Sequence, residues 1–196
     1  MKRNRKSKLL RDTILIICGK TETEKNYFLA FKERIRVGTG KINIKILNKG
    51  ATPLEVVQLA VSEKRAAEPD SPYRHIWAIF DKDEFEIQTA ITLAASNDIN
   101  IAWSNEAFEL WFVYHFEYFT APLSRNNYKE KIEKYLKRDY EKSDSSLYHR
   151  LEKRMNTAIE NARKSYQWHL AQNHMPEKSC SCTTVYQLVE LLKDWM

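Results

Sequence analysis

At 196 residues, with 43% hydrophobic and 12% aromatic side chains, the chain is long enough to bury one sizeable core and too apolar to be disordered. Four glycines and five prolines exclude a loop-rich or low-complexity protein. The net charge of +6 is unevenly placed: residues 1–11 hold Lys2, Arg3, Arg5, Lys6, Lys8 and Arg11 and no acid, so the rest of the chain has as many bases as acids. Such an arm can track a phosphate backbone by releasing counterions, and it reads equally well as a solvated tail. Cys18, Cys180 and Cys182 are an odd set without disulfide spacing, which suits a reducing cytoplasm. No apolar run is long enough for a signal peptide or a membrane span, so a cytoplasmic location without membrane contact is expected.

In chain order, residues 13–18 (TILIIC) form a β-branched apolar run that reads as a buried strand. Gly19 then permits a turn, and Tyr27, Phe28, Phe31 and Ile35 fall at helical spacing. Gly19-Lys20-Thr21 lacks the upstream glycine of a phosphate-binding P-loop. Residues 41–47 alternate as a half-exposed strand does, and residues 52–67 read as a helix ended by prolines. A strand at Ile76–Phe80, a helix at Glu84–Ala95 and a strand at Ile99–Trp103 follow. This alternation predicts a mainly parallel sheet with helices on its faces. From Asn105 onward every apolar pattern is helical: Glu106–Tyr118, Tyr128–Tyr140, Leu147–Leu170 and Thr184–Met196. Lys178–Thr184 reads only as a connection to the last helix.

Both later strands empty into acids. Ile76–Phe80 is followed by Asp81, Lys82, Asp83 and Glu84, and Ile99–Trp103 by Ser104, Asn105 and Glu106. In an open parallel sheet ligands bind at the carboxyl ends of the strands. An acidic crevice there calls for a cation, and hard oxygen donors favour Mg2+ or Mn2+. Asp81 and Asp83 can turn toward one ion, or can simply cap the next helix. Glu106 and Glu109 are three apart on one expected helix face. Glu109 sits between Phe108 and Leu110-Trp111, where a carboxylate is costly unless paired or metal-bound. Glu22 and Glu24 offer a third acidic contribution or ordinary capping acids. His169, His174, Cys180 and Cys182 have a spacing outside the common zinc patterns and read chiefly as a polar loop.

The strings ILIIC (residues 14–18), TEKNYF (23–28), FDKD (80–83) and AWSNEAFELW (102–111), followed by HFE (115–117) and by Arg125, Tyr128, Tyr140, Thr184-Val185 and Leu188-Val189, resemble the RloB-like family. The resemblance implies a Toprim-like α/β fold and a role in antiphage defence by abortive infection. It divides the chain into a basic arm (1–12), a Toprim-like core (13–120) and a helical extension packed on that core (121–196), one domain in all. It further implies a Mg2+-dependent nuclease acting on DNA or RNA, with Asp81, Asp83 and Glu109 as metal ligands and Glu106 and Glu22 completing the shell or activating water. Lys20 and Lys82, with Lys2, Arg3, Arg5 and Lys6 of the arm, would meet phosphates. Members are often encoded beside an ATPase of the RloA type, which makes that ATPase, along with nucleic acid and a second copy of the chain, an expected partner. The family usually carries a glutamate directly after the cysteine of the first strand, where this chain has Gly19. That departure supports the alternative of a non-catalytic nucleic-acid-binding or regulatory subunit.

Overall fold

The computed structural model describes residues 12–38, 42–69 and 71–196; Lys2, Arg3, Arg5 and Lys6 lie outside them. The first half alternates as expected: β1 (Asp12–Cys18), α1 (Glu22–Gly38), β2 (Ile42–Asn48), α2 (Pro53–Ala66), β3 (Tyr73–Asp81), α3 (Gln88–Ser96) and β4 (Asn100–Asn105). The second half comprises α4 (Glu109–Tyr114), α5 (Arg125–Leu136), α6 (Leu147–Leu151), α7 (Met155–Ala171), β5 (Cys182–Thr183) and α8 (Val185–Lys193), with a single 3-10 turn joining α6 to α7 and another following Met175.

The strands form one sheet in the order β2-β1-β3-β4-β5, in which the first four are parallel and β5 is antiparallel to β4. The β-branched run of β1 occupies the middle of the parallel part, where both faces of a strand are covered and a continuous apolar sequence is required. Its side chains divide with period two. Ile14, Ile16 and Cys18 enter one core cluster with α1 and the later helices, while Leu15 and Ile17 enter the other with Val56, Val57, Ala60 and Ala90 of α2 and α3. β3 repeats the pattern, sending Trp77 and Ile79 to the first cluster and Ile76, Ala78 and Phe80 to the second. Among the described residues no helix is long and apolar enough to cross a membrane.

The structure corrects three local readings. The segment 178–184 is more than a connection, because Cys182 and Thr183 add a fifth strand by pairing with Asn105 and Ser104. The helix expected from Glu84 starts at Gln88, where the Glu86 carboxylate accepts the backbone N–H of Gln88 at 2.5 Å and of Thr89 at 3.4 Å. The helix expected over Glu106–Tyr118 spans Glu109–Tyr114, so Glu106 precedes it and does not share a helix face with Glu109.

The chain leaves β1 for β2 on one side and returns past it to β3 on the other. The carboxyl ends of β1 and β3 therefore flank the point where the strand order changes direction, which is where crevices open in such sheets.

Candidate functional site

A pocket of about 270 Å3 opens at that point. The end of β1 contributes Gly19, Lys20 and Thr21, with Glu24 from the first turn of α1; the end of β3 contributes Phe80, Asp81 and Asp83. Residues 50–53 and Val56, at the start of α2, form another wall, and Phe85 and Arg125 complete the lining. The wall at Gly50 depends on the absence of a side chain: its φ is +100°, and a Cβ would meet Val56 Cγ2 at 2.8 Å. A Cβ at Gly19 would make only an ordinary contact, 3.9 Å from the Gly50 carbonyl.

The period-two alternation of β3 turns Asp81 to the same side as Trp77 and Ile79, toward α1 and α4. There it meets the fields of Glu24 and Glu109. Burial, followed by repulsion from these two acids, raises the Asp81 carboxyl well above its ordinary range, while Arg125 and the backbone of Phe108 pull it back. Glu24, only 2% exposed, is likewise raised, chiefly by burial, with the Thr21 hydroxyl donating to Oε2 and opposing that rise. Asp83 occupies the left-handed region with φ +47°, which aspartate tolerates better than most residues. Its backbone N–H donates to the Glu106 carbonyl at 3.1 Å, and that of Lys82 donates to the Ser104 carbonyl at 2.8 Å. The turn after β3 is thereby fastened to the end of β4.

The cation on these acids is Arg125. Its Nη2 lies 2.8 Å from Asp83 Oδ2 and 3.4 Å from Asp81 Oδ2. α5 presents this residue at its first position, behind a capping box formed by Ser124 and Asn127. The Arg125 backbone N–H donates to Glu106 Oε2 at 3.1 Å, so Glu106 anchors the start of α5. The guanidinium Nε is buried without a hydrogen-bond partner among the described residues.

The other expected site residues are distributed around this arrangement. Glu109 is buried outside the pocket lining, near enough to Asp81 for its field to be felt there, and its Oε1 accepts the Tyr140 hydroxyl at 3.0 Å and lies 3.7 Å from Lys142 Nζ. Glu22 points away, its side chain 49% exposed and paired with Lys25 at 3.0 Å. Lys20 lines the pocket, and its ammonium has no partner among the described residues. Lys82 Nζ instead donates to the Asp83 carbonyl at 3.1 Å. His169 uses both ring nitrogens on protein partners, Nδ1 against His174 Nδ1 at 2.9 Å and Nε2 against the Cys180 carbonyl at 2.8 Å. No histidine lines the pocket. The nearest in sequence to α4, His115, is wholly buried and its pKa is lowered to about 4 by that burial.

Phe85 and Arg125 line the pocket without having been marked as site residues by the sequence, and of the two acids it offered after β1, Glu24 and not Glu22 lines the pocket. For Glu24 a signal was available: it lies three residues before Tyr27 and four before Phe28, on the buried face of α1, whereas Glu22 does not. Arg125 gave no such signal, since it reaches the acids from 44 residues beyond Asp81.

In chemistry the donors fit a hard divalent cation, since they are the carboxyl oxygens of Asp81 and Asp83, with Glu24 in the same lining. In geometry a guanidinium lies against Asp81 and Asp83, and no group of three or more His, Cys, Asp or Glu side chains is gathered to hold an ion among the described residues.

Fold and pocket together define an α/β protein with a carboxylate-lined crevice at the switch point of a mainly parallel sheet. The family model described as RloB-like protein matches residues 14–192, and the chain belongs to the RloB-like family. No curated protein and no solved structure matches it.

Proposed function

We propose that the chain is the Mg2+- or Mn2+-dependent nuclease subunit of an antiphage defence system, built on a Toprim-like fold and cleaving phosphodiester bonds of DNA or RNA in the pocket at the ends of β1 and β3. The observation that carries this reading is that Asp81, Asp83 and Glu24 line one crevice at the switch point together with Lys20, whose ammonium has no partner among the described residues. Asp81 and Asp83 would hold the ion. Glu24, from the first turn of α1, stands in for the glutamate that the family usually has at the position of Gly19. When bound, the ion supplies positive charge that polarises a phosphoryl oxygen and eases the deprotonation of water. The chain's own part is to bind and orient. Lys20 attracts a phosphate oxygen, Arg125 is a second cation within the same lining, and Glu109, held by the Tyr140 hydroxyl and facing Lys142, adds a buried carboxyl group beside the site.

The double substitution Asp81→Ala with Asp83→Ala tests the reading on tRNA and DNA substrates with Mg2+ present. Loss of cleavage by more than about 100-fold is expected, as removal of several kcal/mol of charge stabilisation implies, with the circular dichroism spectrum unchanged. Cleavage that survives the double substitution would sink the proposal.

A second reading, a regulatory or nucleic-acid-binding subunit without catalysis, is favoured by Arg125 lying against both aspartates and by Gly19. Under it, calorimetric titration with Mn2+ gives no saturable heat for either the wild type or Asp83→Ala. An ATPase of the RloA type is a proposed partner under both readings. The exposed apolar side chains of Trp168, Leu170 and Met175, at and just beyond the end of α7, are a reasonable place for it to dock.

A further inference from the structure

Phe85 is a large aromatic residue left 39% exposed on the rim of a charged pocket. It belongs to neither core cluster, so burial in the core does not account for it. The turn that carries it is held in place. Its backbone N–H donates to the Lys82 carbonyl at 2.9 Å, while Lys82 and Asp83 are themselves bonded to the carbonyls of Ser104 and Glu106. The ring is thus presented on a fastened loop two residues after Asp83. The same lining carries two cations, Lys20 and Arg125, and the backbone of Gly19 and Gly50.

A ligand suited to this combination offers a flat apolar face and, one linkage away, a phosphate anion. A nucleotide has both. In a duplex the two faces of each base are covered by its neighbours and only the edges are open in the grooves, so a ring at a pocket rim can stack only on a base that is unpaired or turned out. We propose that Phe85 is a stacking platform for a base adjacent to the phosphate bound in this pocket, and that the preferred nucleic acid is therefore single-stranded or carries an unpaired segment. This rests on reading the pocket as a nucleic-acid site and specifies what enters it. Because every base has an aromatic face, the platform tolerates any sequence, and selectivity lies in strandedness.

The test is fluorescence anisotropy with the full chain, in Ca2+ in place of Mg2+ and with cleavage checked on gels, using a labelled single-stranded oligonucleotide and the same oligonucleotide annealed to its complement. The wild type should bind the single strand more tightly than the duplex. Phe85→Ala should weaken single-strand binding about tenfold, the loss of one stacked base, and change duplex binding less than about twofold; Phe85→Trp should keep single-strand binding within about twofold of the wild type. Phe85 is partly exposed and outside both cores, and an unchanged circular dichroism spectrum confirms that the variants fold. Equal single-strand affinity in the wild type and Phe85→Ala overturns the platform and leaves the nuclease reading intact. Equal loss on both ligands overturns the preference for unpaired bases. A wild type that binds neither overturns the platform together with the nucleic-acid reading of the pocket.

Discussion

Asp81 ends β3 in surroundings that penalise its charge. Its pKa is raised by burial and by Glu24 and Glu109 more than Arg125 and the Phe108 backbone lower it, so its proton is held more tightly in the folded chain than in the unfolded one. Folding stability attributable to this group is therefore complete below the ordinary aspartate range and is lost as pH rises through the elevated folded-state value. Asp81→Asn removes the penalty. Its melting temperature should match that of the wild type below the ordinary aspartate range and exceed it increasingly as pH rises above that range, each 1 kcal/mol corresponding to about 2–4 °C in a chain of this size. A melting curve measured across that pH range checks it, and a lower melting temperature at alkaline pH would mean that the contact with Arg125 outweighs burial. A gain in stability on removing a proposed ligand is what a site kept for function rather than for folding gives. At this scale Asp81 and Asp83 were legible, because an apolar run that ends abruptly in acids marks a strand end facing a crevice. Glu24 was legible beside Glu22 as a third acidic contribution, and helical spacing separates the two. Arg125 was not legible, since nothing near it in sequence refers to the acids it meets.

At the scale of elements, the short strand β5 shows how far tertiary partners redefine a segment. Thr183 Oγ1 lies 2.8 Å from Ser104 Oγ, donates to the Trp103 carbonyl at 3.1 Å and accepts from the Val185 backbone at 3.2 Å, all in a fully buried position. Thr183→Val keeps the shape but leaves the Val185 N–H and the Ser104 hydroxyl without this partner, while the Trp103 carbonyl keeps the Thr184 N–H at 2.9 Å. A cost of about 1–3 kcal/mol is expected, read as a fall in melting temperature of about 2–12 °C; an unchanged value would mean that β5 is not needed to hold the end of β4. The same connections explain why α4 is shorter than its apolar sequence suggests. Asn105 and Glu106 would be the entry to a longer helix. Instead the Asn105 side chain donates to the Ser179 carbonyl at 3.1 Å, its carbonyl accepts the Tyr128 hydroxyl at 3.0 Å, and Glu106 serves Arg125 and Asp83. Groups committed to distant partners do not join a helix.

For the whole molecule, the sheet is covered on both faces by clusters whose side chains alternate along shared strands, and the last third of the chain adds a strand to that sheet. Unfolding is accordingly expected to be one cooperative transition. Tryptophan fluorescence, reporting the buried Trp77, Trp103 and Trp111 together with Trp168 of α7 and Trp195 just beyond α8, and far-ultraviolet circular dichroism should give coincident denaturant curves; a separate early transition would mark residues 121–196 as an independent unit. The sequence by itself determined the alternating strands and helices, the parallel sheet and the acids at its carboxyl edge. Those features are written in neighbours two or about 3.6 residues apart, and a local period survives whatever the rest of the chain does. Only the tertiary structure decided that Glu24 and not Glu22 enters the crevice, that Glu109 is buried outside its lining, that Phe85 stands at its rim and that Arg125 lies against Asp81 and Asp83. These outcomes depend on how α1, α4, α5 and the turn after β3 pack around the switch point, and packing joins residues whose separation along the chain carries no periodic trace.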